Sequence, residues 1–211
     1  MTATGFRLER MTKPTYRMEF SKDYISKDLT KVWKEQVEPV FAYHGLTCTM
    51  DEDECKMILE TGNSDGGYII ERARRALGAL ACGLSAQWVK PILLGQIYCD
   101  MIEIEPPEGI CEEQFLSNYD DFIDKFDNLY ELQKKWYCYV LYFEKCITVV
   151  ATSFQATCAI RSLVQDSLLG TIPIQDKVEK LTGYIEEYDP KGEVLTNNLE
   201  FFSSLLDGIA E

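Results

Sequence analysis

Two pairs of short apolar runs constrain the fold of this 211-residue chain more than any other feature. Residues 46–50 and 56–60 flank an acidic turn, and residues 136–143 and 146–151 flank a Glu-Lys turn. Runs of this length between turn residues are typical of strands joined as hairpins. Each pair is followed by a stretch with apolar residues at helical spacing, and residues 98–104 form one more strand-like run. The sequence therefore predicts an α+β fold.

The chain has one strong candidate for a domain boundary, the sequence Glu-Pro-Pro-Glu-Gly at residues 105–109. Two prolines and a glycine interrupt both helices and strands. We therefore predict a loose N-terminal arm (1–22), a first domain (23–104), a second domain (105–190) and a C-terminal amphipathic helix (191–211). A chain of 211 residues is long enough for two small domains, each with its own core.

The charge balance is strongly acidic, with 21 Lys and Arg against 35 Asp and Glu and a formal net charge of −14. A protein that binds nucleic acid or an anionic membrane normally presents a basic face. The composition therefore argues against both and favours protein partners, including basic ones. The longest uncharged stretch, residues 76–89, is too short to span a bilayer, so no membrane partner is expected.

The cysteines and the histidine do not form a recognisable metal motif. No two of the eight cysteines stand at Cys-x-x-Cys spacing, and the single histidine, His44, has no ligand-like neighbour. We therefore expect no metal site and no cofactor. Several cysteines lie inside apolar segments, and no apolar signal segment follows Met1, so a reduced compartment is expected. The sequence also has no nucleophile elbow and no histidine pair, and we expect no enzyme activity.

Two sequence motifs carry a resemblance to a known family. Residues 68–74, Tyr-Ile-Ile-Glu-Arg-Ala-Arg, and residues 99–104, Cys-Asp-Met-Ile-Glu-Ile, resemble the KRR-type (Dribble) family of small-subunit processome factors. The helix at residues 29–40 and the stretch at residues 137–140 resemble it too, so the likeness covers about residues 24–188. It implies two tandem KH-like domains, each with a three-stranded sheet packed on helices. The extra C-terminal helix is acidic, whereas the family has a lysine-rich tail.

The resemblance also implies a Gly-Pro-Lys-Gly loop between two helices of the second domain, and KH domains clamp the nucleotide backbone with such a loop. The match puts Asp124, Lys125, Phe126 and Asp127 at this loop. Glycine lets the main chain approach a phosphate, whereas an aspartate adds bulk and a repulsion of about 4 kcal/mol at an effective dielectric constant of about 20. Lys125 cannot offset two aspartates. We therefore predict a degenerate loop, with RNA binding weak or absent.

Two surfaces are candidates for protein contacts. The strand at residues 136–143 is apolar on both faces and would expose aromatic side chains, among which we single out Tyr137, Tyr139 and Tyr142. Alternatively, another helix covers this face. The last helix carries an apolar seam that either packs on its own domain or docks on a partner or a second copy of the chain. The seam consists of Leu195, Leu199, Phe202 and Leu206.

Two functions remain open at this point. The first is a non-catalytic scaffold or adaptor that binds proteins in an RNA-linked pathway through a degenerate tandem-KH module. The second is a ribosome biogenesis factor of the small-subunit processome, active in pre-rRNA processing and 40S assembly. The acidic balance and the aspartates at 124 and 127 favour the first. We expect a nuclear protein, nucleolar if the second function holds, with the cytoplasm as the alternative.

Overall fold

A computed structural model describes residues 15–20, 29–61, 67–126, 129–143 and 146–188 of the chain. The contacts divide the chain into two compact units. One unit runs to Met101 and includes Leu141–Thr148. The other comprises Ile102–Val140 and continues from Val149.

The first sheet contains the strands β1 (Thr15–Glu19), β2 (Leu46–Asp51) and β3 (Lys56–Thr61) in the order β1-β3-β2. Both pairings are antiparallel. Burial alternates along β2 and β3, and Met57 and Leu59 of the central strand are completely buried. Since successive side chains of a strand point to opposite faces, one face of this sheet covers a core.

At residues 15–19, inside the predicted loose arm 1–22, the chain forms the strand β1 instead. The sequence of β1, Thr-Tyr-Arg-Met-Glu, has no apolar run that would predict a strand. It pairs with β3 along its whole length, from Thr15 opposite Glu60 to Glu19 opposite Lys56. The partner strand lies far along the chain, so the local sequence pattern could not show this pairing.

The helix that the sequence predicts before β2 is divided by a wide turn. It consists of α1 (Leu29–Val32), a π-helical turn (Trp33–Val37) and α2 (Glu38–Tyr43). Pro39 lies in the first turn of α2, where the missing N–H of a proline is tolerated. The irregular turn therefore lies directly before the turn of α2 that contains the proline.

The first sheet is followed by α3 (Gly67–Ala81), a 3-10 turn (Ala86–Trp88) and α4 (Val89–Leu94). The buried face of α3 consists largely of alanine and leucine, and α3 packs against α4. The chain turns after each of these helices at a glycine in the left-handed region, Gly83 with φ 90° and Gly95 with φ 71°.

The second sheet contains β4 (Tyr98–Glu103), β5 (Cys138–Phe143) and β6 (Cys146–Ala151) in the order β4-β6-β5. Both sheets therefore have the order first-third-second. All six residues of the central strand β6 are buried, so both faces of the sheet are covered there. The strand β4 lies within the predicted first domain, 23–104, yet it pairs with β6. The domain limits 23–104 and 105–190 stay predictions.

Four helices accompany the second sheet: α5 (Glu112–Asp124), α6 (Leu129–Trp136), α7 (Phe154–Leu168) and α8 (Ile174–Tyr188). The helix α5 packs on α7, and α8 packs on both α6 and α7. The hydroxyl of Ser153 caps α7 by accepting the backbone N–H of Ala156 at 3.1 Å.

The structure confirms the predicted α+β fold, with a three-stranded sheet packed on helices in each half. The predicted C-terminal helix, residues 191–211, lies outside the described residues, and so does its seam of Leu195, Leu199, Phe202 and Leu206. Among the helices of the described part, none is long and apolar enough to cross a membrane.

Burial is expected to divide the cysteines into two classes of reactivity. Cys111 and Cys158 are exposed, whereas Cys99 and Cys138 are buried, and burial raises the pKa of each of these two thiols to about 12. Because the thiolate is the reactive form, iodoacetamide at about pH 8 should label the exposed pair in the folded protein and the buried pair only in urea. Peptide mass spectrometry measures each site. Fast labelling of Cys99 in the folded protein would contradict this packing.

Candidate functional site

The connection between α5 and α6 holds the residues at which the sequence predicts a degenerate phosphate loop. Asp124 is the last residue of α5, and Lys125 and Phe126 follow it in a turn. The side chains of Asp124 and Lys125 are exposed, and that of Phe126 is half-buried. Asp127 lies outside the described residues. The described part of the loop therefore lies at the surface, between two helices.

Apolar contacts fix the path of this connection. Phe115 and Phe122, two turns apart on α5, are 3% and 1% exposed. The ring of Phe126 meets the ring of Phe122 edge-on, with the ring centroids 5.9 Å apart. The next helix begins at Leu129, which is completely buried. The chain therefore turns between the helices without a glycine in the described part of the loop.

The charges around the connection are acidic, with the exception of Lys125. The helix α5 has no basic side chain and five acidic ones, Glu112, Glu113, Asp120, Asp121 and Asp124. The Nζ atom of Lys125 lies 3.7 Å from Oδ2 of Asp121, and both side chains are at least half exposed. Such a pair adds little to stability, but it directs the ammonium group towards a carboxylate. A phosphate near this turn would meet a predominantly negative potential.

The negative charge of the chain is concentrated in its second half. Residues 1–101 contain 13 Lys and Arg against 14 Asp and Glu, and residues 102–211 contain 8 against 21. The net charge of the whole chain hides this asymmetry, which a count over each half shows. The acidic α5 thus belongs to the half that carries nearly all of the excess charge.

A side chain of the protein itself occupies part of the edge of β5. An edge strand presents backbone groups that a ligand can pair with. Oε1 of Gln133, on α6, accepts the backbone N–H of Val140 at 2.9 Å. Val140 is 5% exposed. A nucleotide or an extended peptide that used this N–H would first have to displace Gln133, to which no sequence pattern points.

Gln133→Ala is expected to lower the free energy of unfolding by about 1–2 kcal/mol, because the buried N–H of Val140 loses its acceptor. Gln133→Glu is the matched control, since a carboxylate of similar length keeps an acceptor. Urea unfolding measures the stability of both variants. Hydrogen exchange at Val140 should accelerate in the alanine variant and stay slow in the glutamate variant. Unchanged exchange in both would show that Gln133 does not protect this edge.

The three tyrosines predicted as a protein interface do not lie on one exposed face. Tyr137 precedes β5, has a φ of 45° and is half-buried. Tyr139 is also half-buried, and burial raises its pKa. Tyr142 is 38% exposed and points to the opposite face from Tyr139, because side chains alternate along a strand. Their role in protein contacts stays a prediction.

The helix α3 and the residues that follow it contact β4 and β6 of the second sheet. Nη1 of Arg75 in α3 donates to the carbonyl of Cys99 in β4 at 3.0 Å. Cys82, just after α3, forms a buried cluster with Cys146 of β6, and Met101 packs against it. The alternative that a helix covers the aromatic face of β5 stays a prediction, because these contacts reach β4 and β6.

Within the described ranges, no group of three or more His, Cys, Asp or Glu side chains is arranged to hold a metal ion. The acidic turn between β2 and β3 is stabilised by hydrogen bonds from its own backbone to the side chain of Asp51. Oδ1 of Asp51 accepts the backbone N–H groups of Asp53 and Glu54 at 3.0 Å each. His44 packs edge-on against the ring of Tyr43, with the ring centroids 5.2 Å apart.

Two three-stranded sheets of this order, each packed on helices, form a tandem KH-like fold that solved structures share. A protein of unknown function from Aeropyrum pernix has a TM-score of 0.60 at 11% identity, covering 87% of this chain and 97% of that chain. Dim2p from Pyrococcus horikoshii OT3 has a TM-score of 0.54 at 13% identity, covering 80% and 99%.

A chain in the a/eIF2alpha–aDim2p–rRNA complex from Pyrococcus horikoshii OT3 has a TM-score of 0.58 at 13% identity. It covers 84% of this chain and 97% of that chain. At these identities the likeness shows the fold. No family model and no curated protein matches the sequence, so the KRR-type assignment stays a prediction.

Proposed function

We propose that this protein is a non-catalytic adaptor that binds other proteins in an RNA-linked pathway and is built on a degenerate tandem KH-like module. The observation that carries this proposal is the charge at the α5–α6 connection. A phosphate-binding loop needs backbone N–H groups and positive charge that are free to meet an anion. Here Lys125 lies beside Asp121, and α5 contributes five carboxylates.

The edge of β5 supports the same proposal. Gln133 already accepts the N–H of Val140, so a ligand strand gains a hydrogen bond there only by breaking one. The aromatic side chains of β5 do not supply a stacking platform either, because Tyr139 is half-buried and Tyr142 lies on the opposite face. The features that usually hold single-stranded nucleic acid are therefore weakened at three places of the second half.

The RNA-linked pathway is proposed from the likeness in fold to Dim2p and to a chain of a complex that contains rRNA. That complex also contains a/eIF2alpha, so a chain with a similar fold occurs there in an assembly with another protein. For this chain we propose one or more protein partners. The seam of Leu195, Leu199, Phe202 and Leu206 is a proposed contact, and a nuclear location is proposed with it.

The alternative function is ribosome biogenesis, in the small-subunit processome. The observation that favours it is the same likeness in fold to Dim2p, which extends over 99% of that chain. Co-sedimentation of the tagged protein with precursors of the small ribosomal subunit would support the alternative. Recovery with a small set of non-ribosomal proteins would support the adaptor.

The RNA test of the adaptor proposal uses a fluorescently labelled single-stranded RNA of about 20 nucleotides and measures anisotropy at about 50 and 200 mM salt. We expect no salt-sensitive binding at micromolar protein, because the acidic half repels the RNA backbone. Binding below about 1 μM that weakens steeply with salt would overturn the proposal.

Restoring glycine at the loop separates the effect of the loop from that of its surroundings. The double variant Asp124→Gly/Asp127→Gly is expected to bind this RNA no better than the unmodified chain, since Asp120 and Asp121 still face the phosphates. The control adds Asp120→Asn and Asp121→Asn, and it should bind more tightly than the double variant. Strong binding by the glycine double variant alone would show that the flanking acids matter little.

A further inference from the structure

A cavity of about 310 Å³ lies beside the α5–α6 connection, between α5 and the turn that joins α7 to α8. Its apolar walls are Phe122, Ile172 and Pro173, and its polar lining includes Asp121, Lys125 and Ser167. This volume is at the lower end of the range of about 300–1,000 Å³ found for ligand sites. The cavity is therefore large enough for one long side chain.

The walls of the cavity are held in place from both sides. Nδ2 of Asn118, on α5, donates to the carbonyl of Leu168 at the end of α7 at 2.9 Å. The turn continues through Gly170 with φ +66°, where an added Cβ would lie 2.8 Å from Asn118. Beyond it, the hydroxyl of Thr171 donates to the carbonyl of Asp166 at 3.0 Å. The cavity is thus preformed, and a ligand need not order it.

The cavity contains a buried polar group that lacks a partner. Ser167 is 9% exposed, and its Oγ atom has no hydrogen-bond partner among the described residues. An unsatisfied buried hydroxyl costs about 1–3 kcal/mol, and a ligand that supplies a donor removes this cost. A hydroxyl can accept such a bond, so an N–H group of a ligand would satisfy it.

The rim of the cavity attracts a positive charge. Asp121 lines it with a side chain that is 73% exposed, and its distance of 3.7 Å from Lys125 exceeds that of a hydrogen bond. The carboxylate of Asp121 therefore keeps acceptor sites for a second cation. Asp120 and Asp124 are also exposed on α5, in the half of the chain with 8 basic and 21 acidic residues.

We propose that this cavity binds an arginine side chain presented by a partner protein. The methylene groups of arginine would lie against Phe122, Ile172 and Pro173, since long cationic side chains bury their apolar stems. The planar guanidinium has five N–H donors, enough to reach both the carboxylate of Asp121 and the hydroxyl of Ser167. This inference rests on the proposed function in one respect, namely that the partner is a protein.

Substitutions of Lys125 and Asp121 distinguish a cationic ligand from an anionic one. Lys125 lines the same cavity and competes with the arginine for Asp121. If the ligand is a cation, removing Lys125 should strengthen binding and removing the charge of Asp121 should weaken it. If the ligand is an anion, the two variants should have the opposite effects.

The test is an NMR titration of the ¹⁵N-labelled full chain with the capped tripeptide acetyl-Gly-Arg-Gly-amide. Capped tripeptides with leucine or glutamate in place of arginine are the comparison probes. We expect saturable shifts of the backbone amides of Ser167, Gly170 and Ile172 with the arginine probe. Shifts spread evenly over the acidic surface, or equal shifts with the leucine or glutamate probe, would overturn the proposal.

Three charge variants sharpen the titration. Asp121→Asn should weaken the affinity at least about fivefold, and Lys125→Gln should strengthen it about twofold. Glu179→Gln, an exposed acid of α8 that does not line the cavity, removes the same charge and should change the affinity by less than about 1.5-fold. An equal effect of Glu179→Gln and Asp121→Asn would show non-specific attraction and would overturn the site.

A fourth variant tests the hydroxyl. Ser167→Ala should leave the stability unchanged or slightly higher and weaken the arginine probe about threefold, because the hydroxyl has no other partner to lose. An unchanged affinity would remove Ser167 from the site. The RNA anisotropy test is independent of these titrations, so RNA binding with an intact arginine site would refute only the adaptor function.

Discussion

Phe122→Ala is expected to lower the free energy of unfolding by about 3–5 kcal/mol. Phe122 is 1% exposed, meets Phe126 edge-on and lines the cavity between α5 and the α7–α8 turn. Removing the ring forfeits its burial and leaves a void that neighbouring helices can fill only in part. The effect should therefore extend beyond α5, because α5 packs on α7.

The measurement is urea unfolding followed by circular dichroism, with the linear extrapolation to water. Leu116→Ala is the matched control, because Leu116 lies on the same helix with 46% of its side chain exposed. It should change the free energy of unfolding by no more than about 0.5 kcal/mol. A loss below about 1 kcal/mol for Phe122→Ala would show that α5 is not packed as the structure has it.

Gly95→Ala is expected to have the next largest effect, a loss of about 2–3 kcal/mol in the free energy of unfolding. Gly95 ends α4 with a φ of +71°, where an L-residue costs about 1–2 kcal/mol. An added Cβ would also meet the guanidinium of Arg72, whose Nη1 donates to the carbonyl of Leu93 at 3.4 Å. The side chain of Arg72 would have to move and give up that bond.

Two controls separate the backbone effect from the crowding. Gly109 has a φ of +87° and nothing within 4 Å of an added Cβ, so Gly109→Ala should cost only the backbone term of about 1–2 kcal/mol. In an Arg72→Ala background, the cost of Gly95→Ala should fall to the same value, since the crowding group is absent. If Gly95→Ala costs the same with and without Arg72, the guanidinium does not lie over α4.

Local sequence patterns predicted much of the fold. The apolar runs of β2, β3 and β6 and the helical spacing of α3 and α7 are properties of neighbouring residues, and each element forms close to where its pattern indicated. The exception is the start of β5. Trp136 ends α6 as a buried residue, because a continuous apolar run does not distinguish the end of a helix from the start of a strand.

Strand pairing could not be predicted in the same way. The strand β1 has a polar sequence and forms by pairing with β3. The strand β4 pairs with β6, which lies far from it in the sequence. Alternation indicates that a segment is extended, but it does not indicate which strand it joins. For the same reason the sequence could not show that Gln133 occupies the edge of β5 or that Arg75 of α3 donates to β4.

The chemistry of the α5–α6 connection was determined by the sequence alone. The aspartates at 120, 121 and 124 and the single Lys125 set the sign of the charge there, whatever the fold does with them. The tertiary structure determines which other groups lie near these charged side chains. It placed Asp121 and Lys125 at the rim of a cavity whose other wall comes from the α7–α8 turn. Charge belongs to residues and can be counted, whereas a cavity exists only between segments that folding brings together.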